Sequence, residues 1–175
     1  MEIKTLNDLY LAELCRAYGA AKDIQKAMPK INKAVSNPEM TQELLDCMER
    51  IDGEIGDLDL IFIELDHSRE EATCPTTAQL LGEVLRLINM DMNAAVRDAA
   101  ILSSMHRIFH VARASYGVLR GFAGALERDD DYGRLDTILD NKHDDVTALE
   151  DLAEYEVGDK AATADKEQEQ EGDKD

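Results

Sequence analysis

The sequence predicts an all-α protein, a bundle of four long helices. Ala, Leu and charged residues dominate its 175 positions, whereas aromatic residues make up 5%, Trp is absent and Pro occurs 3 times. Alternating runs of β-branched residues, which are typical of strands, do not occur. Apolar residues instead recur every three or four positions over long segments, which is the spacing of one helix face. The length fits one domain with a sizeable core.

The first helix is predicted to begin at Thr5 or Asn7, because either side chain can cap it. Pro29 lies inside its apolar pattern, and we expect a kink or a short break there because proline lacks a backbone N–H. The apolar stripe includes one carboxylate, Glu13, which should face the core, where an unpaired charge is costly. The other residues of this stripe are Leu6, Tyr10, Ala17, Ala20, Ile24, Met28 and Ile31.

The second helix is predicted over residues 40–65, with Ser36 or Asn37 as its cap. The polar stretch at 66–77 should be a loop, and a shorter amphipathic helix should follow over residues 78–88. The connection from the second to the third long helix is therefore long. The apolar stripe of the second helix consists of Leu44, Cys47, Met48, Ile51, Ile55, Leu58, Phe62 and Leu65.

The third helix, predicted over residues 93–126, is the most apolar segment and belongs at the centre of the bundle. The sequence RDDDYG at 128–133 should break the pattern before a fourth helix over residues 132–155. Four long helices with one long crossover, which contains a short helix, between the second and the third form the ferritin-like arrangement of a four-helix bundle.

Charge and composition restrict the function of the protein. The acidic segment at 158–175 cannot bury enough surface to fold, so residues 1–157 should form the bundle and 158–175 a disordered acidic tail. The net charge of −19 disfavours binding to nucleic acid or to an anionic membrane.

The N-terminus lacks the pattern of a secretory signal and no stretch is long enough to span a membrane, so we expect a cytoplasmic protein. The cysteines, which lack metal-ligand spacing, are Cys15, Cys47 and Cys74.

Five segments of the chain together resemble one known family. DLYLAELCRAYGAAKDIQKAMPKI at 8–31 is similar to the first helix of that family, and CMERIDGEIGDLDLIFIEL at 47–65 is similar to the second. TCP at 73–75 is similar to a Cys-Pro in the crossover. VRDAAILSSMHRIFHVARASYGVLRGFA at 96–123 and LDTILDNKHDDVTALEDLAE at 135–154 are similar to the third and fourth helices. On these residues the protein resembles the bacterial YciE/YciF-like family of ferritin-like proteins.

The resemblance has implications for the core of the bundle. It implies a set of carboxylates, contributed by facing helices, that suits a dinuclear iron or manganese centre. Glu13 matches the acidic residue of the first helix in this family. Glu54 lies on the second helix, one turn after a position where the family has a glutamate. Glu54 stands where the family commonly has Gln or His, so Glu13 is the one acid retained from the metal site of the family.

Four other positions depart from the pattern of the family. Arg50 stands in place of a glutamate of the second helix, and Lys142 stands in place of a glutamate of the fourth. Phe109 and Ala112 replace two glutamates of the third helix and offer no metal ligand. Because the two new positive charges would also repel a divalent ion, we predict that the di-metal site is lost and that no cofactor is bound.

The remaining charges of the core allow more than one interpretation. In the first, Glu13 pairs with Lys142, Arg50 or both, and Glu54 joins them, so that cations replace metal ions as the counter-charge. In the second, both cations extend to solvent and Glu13 lies beside a cavity that contains water. Asp145 is expected on the solvated face of the fourth helix in either case.

A third interpretation is a rearranged metal site. His106 and His110 are four residues apart on the third helix, a spacing that allows two histidines to bind one metal ion. Such a site would use Glu13, Glu54 and His106, with His110 as a further candidate ligand. The ion would be iron, manganese or zinc.

We favour the first interpretation and a protein that is not an enzyme. The sequence contains no nucleophile elbow, no P-loop and no glycine-rich dinucleotide fingerprint, so no catalytic residue is assigned. The resemblance implies a stress-associated role that is structural or based on protein binding. The partner considered is a second copy of the chain in a homodimer.

Overall fold

A computed structural model of the chain describes residues 2–69 and 72–163. These residues form helices and no strand. Four helices are long, and a shorter helix lies in the connection between the second and third long ones, as predicted. The elements are α1 (Leu6–Ala34), α2 (Pro38–Glu64), α3 (Pro75–Leu87), α4 (Ala94–Ala125) and α5 (Asp129–Leu152), which continues into a π-helical turn (Ala153–Val157).

Side-chain caps fix the start of three long helices. Thr5 Oγ1 accepts a hydrogen bond from the backbone N–H of Asp8, and the Asp8 carboxylate accepts one from the backbone N–H of Thr5, which is a capping box. Asn37 caps α2, and Asn93 caps α4. Of the caps considered for the first two helices, Thr5 and Asn37 are therefore confirmed.

Of the kink or short break predicted at Pro29, the break does not occur, because α1 continues through this residue to Ala34. Met28 and Ile31, on either side of the proline, are fully buried in the core. The packing of this face outweighs the single backbone hydrogen bond that proline cannot make. A helix of this length therefore tolerates the proline without ending there.

Three helices begin earlier than predicted, and the first of them is α2, which begins at Pro38 and not at residue 40. The predicted break before the last long helix lies at residues 126–128 and not at 128–133, because α5 begins at Asp129 and its first turn holds three aspartates. Negative charges are favourable at this end of a helix, where backbone N–H groups are unpaired. Helix α3 begins at Pro75 and not at residue 78, since proline suits the first position of a helix.

The helical chain also extends further than predicted. Residues 158–163 are helical, past the boundary expected at 157. Val157 is buried, and the Lys160 ammonium lies 3.0 Å from Glu156 and 3.8 Å from Glu39 at the start of α2. The remainder of the segment predicted to be a disordered tail, residues 164–175, lies outside the described residues.

The four long helices form a closed ring of contacts. Helix α1 packs against α2 and α4, and α5 packs against the same two helices, while α3 covers α1 and α4. Asp98, at the start of α4, accepts hydrogen bonds from the backbone N–H groups of Ser36 and Asn37, so α2 and α4 begin at the same end. At the other end, the Tyr10 hydroxyl donates to Asp131 and joins the starts of α1 and α5.

These contacts give the direction of each helix. Helices α1 and α5 run one way and α2 and α4 run the other, so the connection through α3 has to return along the length of the bundle. This is the four-helix bundle with a long crossover that the sequence predicts. Within the described residues, no helix is both long and apolar enough to cross a membrane.

Candidate functional site

The centre of the bundle holds a cluster of buried ionisable side chains. Lys142 is 1% exposed, Glu54 is 4% exposed and Asp145 is fully buried. Lys142 and Asp145 lie one turn apart on α5, on the same stripe as the buried residues Ile138 and Leu149. Lysine and acidic side chains are almost never buried this completely unless they are paired. The contacts among these three residues therefore decide whether the cluster is stable.

The Lys142 ammonium joins carboxylates from two helices. Its Nζ donates a hydrogen bond of 2.9 Å to Asp145 Oδ2 and lies 2.8 Å from Glu54 Oε2. The contact with Glu54 is an ion pair between two buried side chains. Nζ also lies 5.4 Å from the centroid of the Phe109 ring, and the face of such a ring attracts a cation. The lysine thus links α5 to α2 and contacts α4.

Arg50 extends the cluster towards the surface. Its Nε donates to Asp145 Oδ1, and one terminal nitrogen donates to Glu43 Oε1 at 2.6 Å. The same nitrogen lies 3.4 Å from Cys47 Sγ. Asp145 is therefore shared by two cations. The cluster contains three carboxylates and two cations, so it carries one formal negative charge, and its outer members Arg50 and Glu43 are partly exposed.

Tyr116 completes the cluster on the side of α4. Its hydroxyl donates a hydrogen bond to Glu54 Oε1, and both side chains are buried. Burial raises the pKa of Tyr116, and the charge of Glu54 raises this pKa further. Burial alone would lower the pKa of Lys142, but the attraction of Glu54 and Asp145 outweighs burial and raises it. Both groups are therefore protonated at neutral pH, and the lysine carries its charge.

Glu13 does not belong to this cluster, so its predicted pairing with Lys142 or Arg50 is wrong. Its side chain is 30% exposed and pairs with Arg16, one turn further along α1. Because that cation lies on the same helix, Glu13 is neutralised without reaching across the bundle. Glu13 and Glu54 do line a common cavity of about 170 Å³ between α1, α3 and α4.

The other substituted positions lie in the core as expected. Phe109 is fully buried and Ala112 is 9% exposed.

The interpretation in which both cations extend to solvent is wrong for Lys142. Asp145, expected on the solvated face of the helix, is fully buried. Its position three residues after Lys142 and four before Leu149 places it on the inward stripe, which is the signal that the sequence reasoning missed.

The rearranged metal site predicted from Glu13, Glu54 and His106 is not formed. Glu54 lies inside the bundle, whereas His106 lies near the surface and contacts His110 and Glu150. In the described part of the chain, one group of three side chains has potential ligand atoms within 4.8 Å of one another, and it consists of His106, His110 and Glu150. The spacing of the two histidines predicts their contact, but it does not identify the glutamate of α5.

The order of the helices and the cluster of buried ionisable side chains at the centre of the bundle define a ferritin-like helical bundle with a crossover helix. The family of the chain follows from its sequence. A family described as "Domain of unknown function (DUF892)" matches residues 5–162. The chain belongs to this family.

Named relatives confirm the resemblance of the sequence to the YciE/YciF-like family. Protein YciF of Escherichia coli strain K12 is 28% identical over 162 residues, which cover 92% of this chain and 98% of that protein. The crystal structure of the E. coli stress protein YciF matches with a TM-score of 0.83 at 27% identity, over 86% of this chain and 96% of that one. YcfI from Rhodopseudomonas palustris, for which a structural role is suggested, matches with a TM-score of 0.81 at 30% identity, over 85% and 95% of the two chains.

Proposed function

We propose that this protein is a non-catalytic ferritin-like bundle in which a charged-pair core replaces a metal site. Its role is structural or based on protein binding, and its core holds no cofactor. The observation that carries this proposal is the position of the Lys142 ammonium, which lies within 3 Å of carboxylate oxygens of both Glu54 and Asp145. A cation fixed to the protein thus supplies the counter-charge that the family resemblance assigns to metal ions.

The residues around Lys142 do not fit a dinuclear metal centre. Such a centre needs several carboxylate or histidine ligands that converge from different helices. Phe109 and Ala112 have no ligand atoms, and Glu54 and Asp145 already neutralise Lys142. A divalent ion would have to displace a buried ammonium and leave that charge unpaired, which is costly. The donor set of this chain therefore favours the ion pairs over a metal.

The broader role is inferred from the relatives. YciF is a stress protein, and a structural role is suggested for YcfI. We extend a stress-associated structural role to this chain, with a second copy in a homodimer as its partner. The net charge of −19 argues against a role on nucleic acid or on an anionic membrane, since both would repel the protein.

The metal content of the core tests this proposal. Untagged protein produced with iron and manganese in the medium should contain far less than one of these ions per chain by mass spectrometry. It should also not accelerate the oxidation of Fe²⁺ above the rate in buffer. The matched variants are Glu54→Ala in the core and Glu49→Ala, an exposed glutamate of the same helix. Stoichiometric iron or manganese that is lost only in Glu54→Ala would overturn the proposal.

A further inference from the structure

His106, His110 and Glu150 form a cluster outside the charged-pair core. The two histidines lie one turn apart on α4, and Glu150 reaches them from α5. Their side chains are 30%, 44% and 56% exposed, so solvent and ions reach them. The π-helical turn of residues 153–157 begins three residues after Glu150, and such turns occur frequently at functional sites.

The distances between the three possible ligand atoms match a metal site. Nε2 of His106 lies 3.1 Å from Nε2 of His110 and 3.2 Å from Oε1 of Glu150, and the third distance, from His110 to Glu150, is 3.7 Å. A tetrahedral Zn²⁺ ion with bonds of about 2.0–2.2 Å holds its ligand atoms about 3.3–3.6 Å apart. One ion fits between the three atoms with shifts of a few tenths of an ångström.

The three atoms cannot all be hydrogen-bonded to one another at once. A neutral imidazole carries one proton, so its two ring nitrogens are one donor and one acceptor. If His106 Nε2 carries the proton, one hydrogen serves both His110 and Glu150. If it does not, the lone pair of His106 faces the carboxylate of Glu150 at 3.2 Å. A single cation would satisfy all three lone pairs at once.

We propose that His106, His110 and Glu150 bind one transition-metal ion of the zinc class. Two imidazole nitrogens and one carboxylate oxygen suit Zn²⁺, whereas Ca²⁺ and Mg²⁺ prefer oxygen ligands alone. Three protein ligands leave one position for water. Because the ligands come from α4 and α5, the ion links these two helices. This proposal is separate from the proposed function, since it concerns residues outside the core.

Calorimetric titration of metal-free, untagged full chain with Zn²⁺ at pH 7.5 tests the site. We expect one ion per chain and a rise in the unfolding temperature when zinc is in excess, because a ligand that binds only the folded state stabilises it. His110→Ala and Glu150→Gln should each weaken binding at least tenfold and remove most of the thermal shift. His143→Ala, which removes an exposed histidine elsewhere on α5, and Glu54→Gln, which alters the core, should leave zinc affinity unchanged.

Two results would overturn the site. One is the absence of zinc binding to the wild-type chain at concentrations up to the millimolar range. The other is an affinity that stays within threefold of wild type in both His110→Ala and Glu150→Gln. The substituted side chains are partly exposed, so the variants should fold, and circular dichroism at matched concentration checks this. Loss of binding in Glu54→Gln alone would place the ion in the core and contradict the proposed function as well.

Discussion

Replacement of Lys142 with methionine should lower the free energy of unfolding by about 3–5 kcal/mol, the usual cost of removing one partner from a buried ion pair. Methionine is also unbranched and fills much of the same space, so the loss of stability should come chiefly from the missing positive charge of Lys142. Asp145 would keep only Arg50 as a cation, and Glu54 would keep only the hydroxyl of Tyr116. Urea denaturation followed by circular dichroism measures the change.

Lys26→Met is the matched control for this variant. Lys26 is exposed on α1, and a surface substitution of this kind usually changes stability by less than about 0.5 kcal/mol. The interpretation of the core requires a large difference between the two lysines. If Lys142→Met is no more harmful than Lys26→Met, the ammonium of Lys142 is not held in a buried ion pair.

The same variant should change how stability depends on pH. Because the pKa of Lys142 is raised in the folded protein, the unfolded chain loses this proton first as the pH rises above the ordinary lysine pKa of about 10.4. The stabilisation from Lys142 is therefore complete below about pH 10 and decreases as the pH rises towards the folded pKa. Urea titrations above pH 10 should show a steeper loss for wild type than for Lys142→Met, and equal slopes would contradict the raised pKa.

Gly19→Ala should lower the free energy of unfolding by about 3 kcal/mol, at the upper end of the usual cost of overpacking. A Cβ atom at Gly19 would lie 2.7 Å from the backbone N and Cα of Thr73 and 2.8 Å from the carbonyl carbon of Ala72. These atoms belong to the backbone of the crossover, which cannot move aside as a flexible side chain can. The substitution should therefore force the crossover away from α1.

Gly53→Ala separates this contact from the effect of alanine on helix stability. Gly53 is exposed within α2, and a Cβ there meets no atom within 4 Å. Alanine should stabilise that helix by about 0.5–1 kcal/mol, because glycine loses more conformational freedom on folding. Denaturation curves of both variants should therefore shift in opposite directions. A gain in stability for Gly19→Ala would mean that the crossover does not rest on α1.

The architecture could be predicted from sequence because the buried stripe of each helix repeats at helical spacing. The boundaries were less certain for local reasons. Pro29 indicated a break, but the buried Met28 and Ile31 keep α1 continuous. The run of aspartates at 129–131 is typical of a loop, yet it forms the first turn of α5, since carboxylates also favour a helix start.

The site could be predicted only in part. The interpretation in which Lys142 pairs with carboxylates of the core agrees with the structure, where Lys142 is buried beside Glu54 and Asp145. The predicted partner of Lys142, Glu13, is wrong, because periodicity gives the face of a residue and not its distance to residues on other helices. Asp145 was missed, since it stands among other acids that resemble a solvated surface. Glu150 was missed because no pattern along the chain links it to His106.

A double-mutant cycle on Glu54 and Lys142 tests most directly whether a lysine neutralises the core carboxylates. Glu54→Gln and Lys142→Met should each destabilise the protein in urea. The double variant should be more stable than the sum of the two losses predicts, by at least about 1 kcal/mol, because it removes both charges of the pair. Losses that add to within about 0.3 kcal/mol would show that the two side chains do not interact, and would contradict the charged-pair core.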